Sequence, residues 1–537
     1  MKKIWVYCLI FLFQIPMAFS QWQWVKQFGG SGRDIINTKL NNTYLFVSGL
    51  FEYNCYLDSD TLYSIGYNDM FIAKYDLSGN NRLWIKQFGG NNNVDDYEWG
   101  SIKIITNDAL YFSGTFTNTL IIDSFSVVDM GRTDAFLAKF DLNGNCIWIK
   151  SAGGMGIDES RDLAIDTLGN LYWAISMTSN GSVDSFPLNK GTAFVKLDAN
   201  GNVQFIKNNL LTGGTINTFK IHNNEFYFTG YSENDTVMID VDTLISNHNH
   251  DILLAKIDIS GSVIWSKQFG GNNSDNFGNA LEFDDNNNIY LAGRFNDTLI
   301  IDGNQVISNG NRDILFAKFN NNGTNIWIKN CQAIGQSGAW ALSLARDSEG
   351  KFYVGGYFEG TAHFGNYVVT SNNFRYDMFL ARYDENGDCL GVRNFGVAKT
   401  YNILVDANDD LYLAVNFINS VNINSTTYTS SGNEDALLIK CDGITGIGEE
   451  SRRSDNTLTI YANPNKGTFR IKVPEGINSL KNTILIVYNN KGQEIAHFNL
   501  DDNVDKPQFN IENSAKGLYS VKLIQVDKVY SGKLVVE

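Results

Sequence analysis

The sequence predicts an all-β protein, and three observations support this prediction. Aromatic residues make up 13% of the 537-residue chain, with 49 Gly and only 5 Pro, a balance that suits strands joined by tight turns. Apolar and polar residues alternate with period two, as in a strand with two distinct faces. One unit of about 61 residues recurs seven times between Trp24 and Lys440.

Each unit contains three clear strand patterns and one weaker pattern. The clear ones are N-x-Y-x-x-G-x-F, as at residues 288–295, D-x-F-x-A-K-Y, as from Asp69, and W-x-K-Q-F, as from Trp24. A weaker strand precedes the first of these, as at residues 279–284. Short segments rich in Asp, Asn and Gly separate the strands, and we interpret them as hairpin turns rather than calcium loops, because none follows the EF-hand order.

Four antiparallel strands in each of seven units predict a seven-bladed β-propeller. A solenoid is the alternative, but it needs polar capping repeats at both ends, and the sequence contains no such repeat. The chain begins with a W-x-K strand at Trp24 that lacks preceding partners, and its last unit ends at Asp442 without such a strand. We therefore predict that the N-terminal strand closes the last blade.

The repeated strings G-N-x-x-W-x-K-Q-F-G-G and N-x-Y-x-x-G-x-F resemble the SBBP-type β-propeller repeat of secreted bacterial proteins. The resemblance covers about 420 residues, from the first unit to the last. It implies a propeller fold. It implies no activity, because that repeat family has no shared chemistry.

Residues 1–20 are predicted to be a secretory signal peptide. Lys2 and Lys3 precede an apolar run at residues 4–13, and small residues follow, so we expect cleavage between Ser20 and Gln21. The apolar run is too short to span a bilayer, and we expect no membrane insertion after the signal is removed.

The charge balance disfavours two classes of partner. The chain has 42 Lys and Arg against 58 Asp and Glu, a net charge of −16. Such a surface repels phosphate backbones and anionic lipid heads. We therefore expect neither nucleic acid nor a membrane surface as a partner.

The repeats, predicted to form the propeller at residues 21–442, are followed by a linker at 443–456 and a second module at 457–537. This module alternates like strands and has tight Asn/Gly turns, which predicts a small β-sandwich. Its landmark residues are Asn463, Pro464, Asn465, Gly467, Gly492, Gly517 and Tyr519.

These landmarks resemble the type A C-terminal sorting domain of the type IX (Por) secretion system found in Bacteroidetes, although Ala462 stands where that family usually has Pro. The resemblance implies that the type IX secretion machinery is a partner and that the propeller is its cargo. It implies a location outside the cell or on its outer surface, reached through the periplasm.

Catalytic motifs are missing from the sequence, and we predict no catalytic residue and no cofactor. The chain contains five His, and His248 and His250 are the weak candidates for a metal site, because residues at i and i+2 point to one side of a strand. The neighbouring Asp251 recurs in six of the seven units, which indicates a structural role. We therefore expect no metal there.

Repeated lysines and scattered cysteines are also interpreted as structural. One Lys or Arg ends each D-x-F-x-A-K motif and another follows each W-x motif, and we expect both to pair with the repeated Asp residues. Five cysteines remain after signal removal, widely spaced and odd in number. This spacing favours small core residues on strands over a disulfide framework.

Two faces of the predicted propeller differ in sequence. The face with the hairpin turns is nearly uniform among units, whereas the opposite face carries segments that diverge. Divergent loops on a rigid scaffold are where binding usually occurs. The richest cluster of aromatic and acidic residues there consists of Asp95, Asp96, Tyr97, Glu98 and Trp99.

The favoured function is therefore that of a secreted or surface-displayed, non-catalytic propeller that binds a glycan or a protein. The alternative is a secreted hydrolase or lyase with a carboxylate site in the propeller funnel. Several carboxylates converging there would favour the enzyme.

Overall fold

The structure is a computed structural model that describes residues 22–90, 100–233, 235–245, 250–271, 275–334, 338–371, 376–396, 398–423, 426–442, 458–461, 465–472, 481, 483–489, 494–500, 508–511, 515–525 and 528–536. The chain divides into two compact units, Met1–Gly448 and Glu449–Glu537. Across the described ranges, no helix has the length and apolar character needed to cross a membrane.

Antiparallel strands make up the first unit. In chain order they are β1 (Trp22–Gly29), β2 (Asp34–Leu40), β3 (Tyr44–Leu57), β4 (Asp60–Asp76), β5 (Arg82–Phe88), β6 (Gly100–Ile105), β7 (Ala109–Phe116), β8 (Thr119–Ile122), β9 (Phe125–Val128), β10 (Asp134–Asp141), β11 (Cys146–Gly154), β12 (Asp158–Ile165), β13 (Leu171–Met177), β14 (Gly181–Val183), β15 (Phe186–Leu188), β16 (Gly191–Leu197), β17 (Val203–Thr212), β18 (Gly214–His222), β19 (Glu225–Ser232) and β20 (Thr236–Ile239). They continue with β21 (Asp242–Ile245), β22 (Ile252–Ile257), β23 (Val263–Phe269), β24 (Phe277–Phe283), β25 (Ile289–Phe295), β26 (Thr298–Ile301), β27 (Asn304–Ile307), β28 (Asp313–Phe319), β29 (Asn325–Ile334), β30 (Ala339–Arg346), β31 (Phe352–Phe358), β32 (Thr361–Phe364), β33 (Tyr367–Thr370), β34 (Asp377–Tyr383), β35 (Cys389–Asn394), β36 (Ala398–Val405), β37 (Leu411–Phe417), β38 (Ser420–Ile423), β39 (Thr426–Thr429) and β40 (Asp435–Cys441).

Seven groups of four hydrogen-bonded strands recur along this unit. In order they are β2-β3-β4-β5, β6-β7-β10-β11, β12-β13-β16-β17, β18-β19-β22-β23, β24-β25-β28-β29, β30-β31-β34-β35 and β36-β37-β40-β1, called groups 1 to 7 below. The four strand patterns of the repeat are therefore found as four paired strands, and the prediction of an all-β chain is confirmed.

Group 7 takes its fourth strand from the other end of the unit. Strand β1 pairs antiparallel with β40, with Trp24 opposite Lys440 and Phe28 opposite Ala436. The same register occurs within a continuous group, where Trp327 of β29 lies opposite Lys318 of β28. The N-terminal strand thus occupies the position that the W-x-K-Q-F strand holds in the other groups.

Seven buried apolar clusters hold successive groups together. Each cluster draws most of its side chains from two groups that follow one another, such as groups 5 and 6 around Tyr290 and Phe352. The cluster that contains Phe28 joins Tyr412 and Leu438 of group 7 to Leu45 of group 1. Burial of apolar surface between sheets is therefore the main stabilising contribution in this unit.

A buried Asp explains two of the repeated motifs at once. The carboxylate of Asp69, which opens D-x-F, accepts hydrogen bonds from the Gln87 side chain at 2.6 Å and from the Ile65 N–H at 3.2 Å. A Cβ added to Gly89 would overlap this carboxylate. The motif Q-F-G-G therefore supplies a side-chain donor and then a residue small enough to lie against the Asp.

Five glycines in the turns before the fourth strands are covered by tryptophans of the preceding group, namely Gly79, Gly144, Gly201, Gly323 and Gly387. Gly144 has φ of 83° and lies against the ring of Trp84, whose Nε1–H donates to the carbonyl of Leu142 at 3.1 Å. Asp141 accepts the backbone N–H groups of Asn143 and Asn145 at 2.8 and 2.9 Å. These contacts agree with our interpretation of the Asp/Asn/Gly segments as turns, stabilised by Asx hydrogen bonds.

Short hairpins in the connectors were not predicted from the sequence. Strands β8-β9, β14-β15, β20-β21, β26-β27, β32-β33 and β38-β39 form two-stranded ladders, and the long β3-β4 pair continues in the same way. Several pair with the fourth strand of the preceding group, as when Val183 of β14 lies opposite Ala152 of β11. The hairpins thus extend the hydrogen bonding from one group to the next.

The repeated lysines are paired, but not through the contacts with the repeated Asp residues that we expected. On the fourth strands, Lys26, Lys150 and Lys207 lie 2.6, 2.7 and 2.5 Å from Asp58, Asp184 and Asp240, each at a hairpin turn of the next group. Lys74, from the D-x-F motif, donates instead to the carbonyl of Leu142 at 3.1 Å. The partners are mostly turn residues of the following group rather than residues opposite on the same sheet.

Cysteines behave as small strand residues, in agreement with the sequence interpretation. Cys55, Cys331 and Cys441 are buried, and Cys146 and Cys389 are half-buried with their Sγ atoms 3.6 and 3.4 Å from the carbonyl oxygens of Trp148 and Gly391. All five are free thiols.

The second unit contains seven described strands in two sheets. They are β41 (Thr459–Tyr461), β42 (Thr468–Lys472), β43 (Thr483–Tyr488), β44 (Glu494–Leu500), β45 (Gln508–Asn510), β46 (Gly517–Gln525) and β47 (Lys528–Val536). The sheets are β41-β42-β45 and β44-β43-β46-β47, and they share one core around Phe469, Leu485, Phe509 and Val521.

Three landmark residues of this unit have defined structural roles. The Oδ1 of Asn465 accepts the Gly467 N–H at 2.6 Å, and Gly467 has φ of 98°. The Tyr519 hydroxyl donates to the carbonyl of Ala515. Asn463, Pro464 and Gly492 lie outside the described residues.

Candidate functional site

Several residues that the sequence analysis singled out lie outside the described residues. These are Asp95, Asp96, Tyr97, Glu98 and Trp99, together with His248 and the cleavage position at Ser20 and Gln21. His250 is described, and its Nδ1 lies 4.0 Å from Asp275. In the part of the chain that the structure covers, no three His, Cys, Asp or Glu side chains come together as a metal site.

A different cluster lies on the face where the repeats diverge. It runs across groups 4 to 7 and is called the cation–aromatic patch below. Its members are Tyr231, His250, Asp275, Phe277, Arg294, Arg312, Trp340, Tyr357, Tyr376 and Lys399.

Equivalent strand ends supply the patch. Arg294 and Tyr357 are the residues before the last in β25 and β31, and Phe277 and Trp340 lie opposite them at the start of β24 and β30. Arg312 immediately precedes β28. Repetition of the four-stranded group therefore brings one variable position from each of several groups next to one another.

Asp275 is the electrostatic centre of the patch. Its carboxylate lies 2.9 Å from Nη2 of Arg294 and also forms an ion pair with Nε of Arg312. Burial lowers the pKa of Arg294, while Asp275 opposes that shift. One carboxylate thus holds two guanidinium groups in place, which leaves a net positive charge.

Aromatic rings surround these guanidinium groups. The Arg294 guanidinium carbon lies 4.0 Å from the ring centre of Phe277 and 5.2 Å from that of Trp340. Trp340 stacks on Tyr357 with ring centres 4.8 Å apart, and Tyr376 meets both rings edge-on. Cation–π contacts and stacking fix the rings in this arrangement.

The patch combines buried and accessible surfaces. Trp340 is 6% exposed, and its Nε1 has no hydrogen-bond partner among the described residues. Tyr357, Tyr376 and Lys399 are half-buried, and burial raises the pKa of Tyr357 to about 12. Its hydroxyl is therefore protonated at neutral pH and can both donate and accept hydrogen bonds.

A second feature is a cavity of about 600 Å³ among the first strands of all seven groups. Asp162 and Glu282 contribute carboxylates to its lining, and each has a cationic partner: Lys103 lies 3.6 Å from Asp162, and Lys220 lies 2.8 Å from Glu282. Each of the two carboxylates thus forms an ion pair with a lysine, and the two carboxylates do not interact directly with each other.

Two parts of the chain match known families. Residues 459–537 match the family described as the secretion system C-terminal sorting domain. Residues 264–296, which include β23, β24 and β25, match the family described as the beta-propeller repeat. Both families predicted from the sequence are therefore confirmed. The chain carries an export signal at its C-terminus, which implies secretion or display at the cell surface.

A curated relative and several solved structures are similar to this chain. An uncharacterized WD repeat-containing protein from Acanthamoeba polyphaga mimivirus is 23% identical over 458 residues, which are 66% of this chain and 32% of that protein. This chain thus spans about a third of the relative.

Among solved structures, the Dos1 propeller covers 77% of this chain and 94% of its own, at 9% identity and a TM-score of 0.38. A PL25 polysaccharide lyase, solved with a sugar chain bound, covers 76% and 97%, at 8% identity and a TM-score of 0.39.

Proposed function

We propose that this protein is a secreted, non-catalytic seven-bladed β-propeller that binds a glycan through the cation–aromatic patch. Residues 21–442 would form the propeller and 457–537 the sorting domain, joined by the linker 443–456. The proposal has three parts, namely the closed ring, the binding site and the export route.

Closure of the ring is supported by contacts between the two ends of the first unit. Strand β1 completes group 7, and Phe28 packs in the cluster that joins groups 7 and 1. Lys440 also reaches the carbonyl of Leu77 in the group 1 turn, at 3.5 Å. We infer that seven blades close in a circle, since groups 7 and 1 contact each other as other successive groups do.

Glycan binding is supported by the chemistry of the patch. Sugars present apolar C–H faces that stack on aromatic rings, and hydroxyl groups that pair with carboxylates, guanidinium groups and phenols. The rings of Tyr357 and Tyr376 meet at 71° with their centres 5.0 Å apart. The guanidinium of Arg312, which pairs with Asp275, lies against the neighbouring ring of Trp340. A protein ligand with aromatic and acidic side chains is the alternative occupant.

The rival function, a hydrolase or lyase with a carboxylate site in the funnel, has weaker support. Glycosidase chemistry needs one carboxyl group with a raised pKa and a second that remains ionised. In the cavity, Asp162 and Glu282 each form an ion pair with a lysine, at 3.6 and 2.8 Å. That environment suits a structural or binding role.

A glycan-array screen of the mature protein, followed by calorimetry with the best ligand, tests the binding site. Tyr357→Ala and Tyr376→Ala should each weaken binding about fivefold to tenfold, because each removes one stacking surface. The matched control is Tyr63→Ala, an aromatic truncation at a 70% exposed outer position, which should leave affinity unchanged.

A variant on the hairpin-turn face completes the test. Asp285 is an exposed residue there and lines a separate cavity of about 270 Å³. Loss of binding in Asp285→Asn with full binding in Tyr357→Ala would refute the assignment of the site to the divergent face.

A further inference from the structure

The cavity among the first strands contains a lysine without a counter-ion. Within the described part of the chain, Lys39 of β2 lines the cavity, and neither a hydrogen bond nor an ion pair holds its ammonium group. Its position contrasts with that of Lys103 and Lys220, which are paired with Asp162 and Glu282.

The remaining charges of the lining are also satisfied. Arg346 makes two hydrogen bonds to Asp285, at 2.9 and 2.7 Å. Asp347 lies 2.9 Å from Arg382. The described lining therefore has one positive charge in excess, and that charge is on Lys39.

Burial and neighbouring charges act on Lys39 together. Burial lowers its pKa to about 8, and Lys220 and Lys103 act in the same direction, while Asp162 and Glu282 oppose it. An anion in contact with the ammonium group would supply the direct ion pair that Lys39 lacks among the described residues. Three lysines near one point in a cavity provide the donors for such an anion.

Asn37 extends the same surface. It lies two residues before Lys39 on β2, so both side chains point to the same face of the strand, and both line the cavity. The Oδ1 of Asn37 is buried and has no hydrogen-bond partner among the described residues. An acceptor beside an ammonium group suits a ligand that carries both an oxyanion and a hydroxyl donor.

We propose that this cavity binds a small hydroxylated oxyanion, with Lys39 holding the anionic group and Asn37 accepting a hydroxyl. The volume of about 600 Å³ is in the range of small-molecule sites. A carboxylate of a sugar acid and a phosphate group share this chemistry. The cavity is separate from the cation–aromatic patch, so it does not depend on the function proposed above.

Calorimetry on the full mature chain tests this site, with D-glucuronate and inorganic phosphate as separate probes. Burial lowers the pKa of Lys39 to about 8, so near pH 8 part of the Lys39 population lacks the proton that the bound anion requires. Binding should therefore take up protons, and its enthalpy should differ between HEPES and Tris buffers. Glucuronate binding alone identifies a sugar acid, and phosphate binding alone identifies a phosphoryl ligand.

Two substitutions at Lys39 and one control decide the assignment. Lys39→Met should weaken binding about tenfold or more, because it removes a charged hydrogen-bond donor. Lys39→Arg should bind without proton uptake, since arginine stays protonated. Lys86→Met, a surface substitution beside Asp123, should behave as wild type. The proposal is overturned if neither probe binds the wild-type chain, or if Lys39→Met binds as well as wild type.

Discussion

Trp24 of β1 packs its indole ring over Gly79, in the turn between β4 and β5. Trp24 belongs to group 7 and Gly79 to group 1, so this contact joins the two groups. The same contact joins Trp84 to Gly144, Trp265 to Gly323 and Trp327 to Gly387 in other pairs of groups. A tryptophan and a glycine thus form the same connection between neighbouring sheets in each of these pairs.

Replacing Gly79 tests this connection. Gly79 has φ of 70°, so Gly79→Ala adds left-handed strain of about 1 kcal/mol and also displaces Trp24, for a total of about 2 to 3 kcal/mol. Gly303→Ala is the matched control, because Gly303 has φ of 83° and open space around it. Urea unfolding measures the free energy of unfolding of both variants. Equal losses of stability would mean that the contact between Trp24 and Gly79 contributes nothing to stability.

Removal of the first strand tests its role in group 7. A chain that lacks residues 21–30 should melt at a clearly lower temperature, because β40 loses one of its two paired strands. The single substitution Phe28→Ala, at a side chain that is 1% exposed, should cost about 3 kcal/mol. Leu83→Ala, at a 50% exposed position on β5, should stay within about 0.5 kcal/mol. An unchanged melting curve for the shortened chain would contradict the closure of the ring.

The buried carboxyl of Asp34 predicts a pH dependence of stability. Burial raises its pKa to about 8, although its carboxylate accepts the Gly30 N–H at 2.7 Å. The unfolded chain loses this proton near pH 4, whereas the folded chain keeps it up to about pH 8. The stabilising contribution is therefore complete below pH 4 and is lost as the pH rises towards 8, by at most roughly 1.4 kcal/mol per pH unit.

Denaturant titrations of Asp34→Asn at pH 5 and pH 8 measure this contribution. The variant should gain stability over wild type at pH 8 and lose that advantage at pH 5. Asp166→Asn is the control, because the pKa of Asp166 is shifted in the opposite direction. Burial raises the pKa of Asp166, but hydrogen bonds from Asn170 and other donors outweigh burial and lower it overall. Asp166→Asn should be less stable than wild type at both pH values. A gain in its stability at pH 8 would contradict the lowered pKa assigned to Asp166.

Release from the cell envelope should depend on the second unit, in addition to the signal peptide expected at residues 1–20. Deletion of residues 459–537, which match the sorting domain, should retain the protein inside the cell envelope, whereas the first unit keeps its own clusters and strands. Fractionation of cells with an antibody against the first unit measures the distribution. Secretion of the shortened chain at the wild-type level would show that the signal lies elsewhere.

Much of this architecture follows from the sequence because one pattern is repeated. The four strands, the turn glycines and the repeated Asp could be predicted, since the same residue types occur at equivalent positions in successive units. The hairpins were missed because strands such as β26 and β27 have four residues each, too few for period two to stand out.

The candidate site was harder to predict, because its residues are not repeated. Arg294 and Tyr357 occupy equivalent positions in groups 5 and 6 but have different chemistry. Alignment of the units already places His250, Arg312 and Tyr376 at one position. A search for unusual residues at equivalent strand ends would have found the patch.

The pairing of β1 with β40 has a consequence for how the protein is made. A ribosome that has released Trp22–Gly29 must still synthesise more than four hundred residues before Asp435–Cys441 emerges. Domains tend to fold from the N-terminus during synthesis. Here, however, β1 is synthesised first and can pair with β40 only after β40 has been synthesised. The edge of β1 that pairs with β40 stays open throughout that delay, and an open edge is a site for aggregation. A factor that keeps the chain unfolded until its far end arrives would protect it.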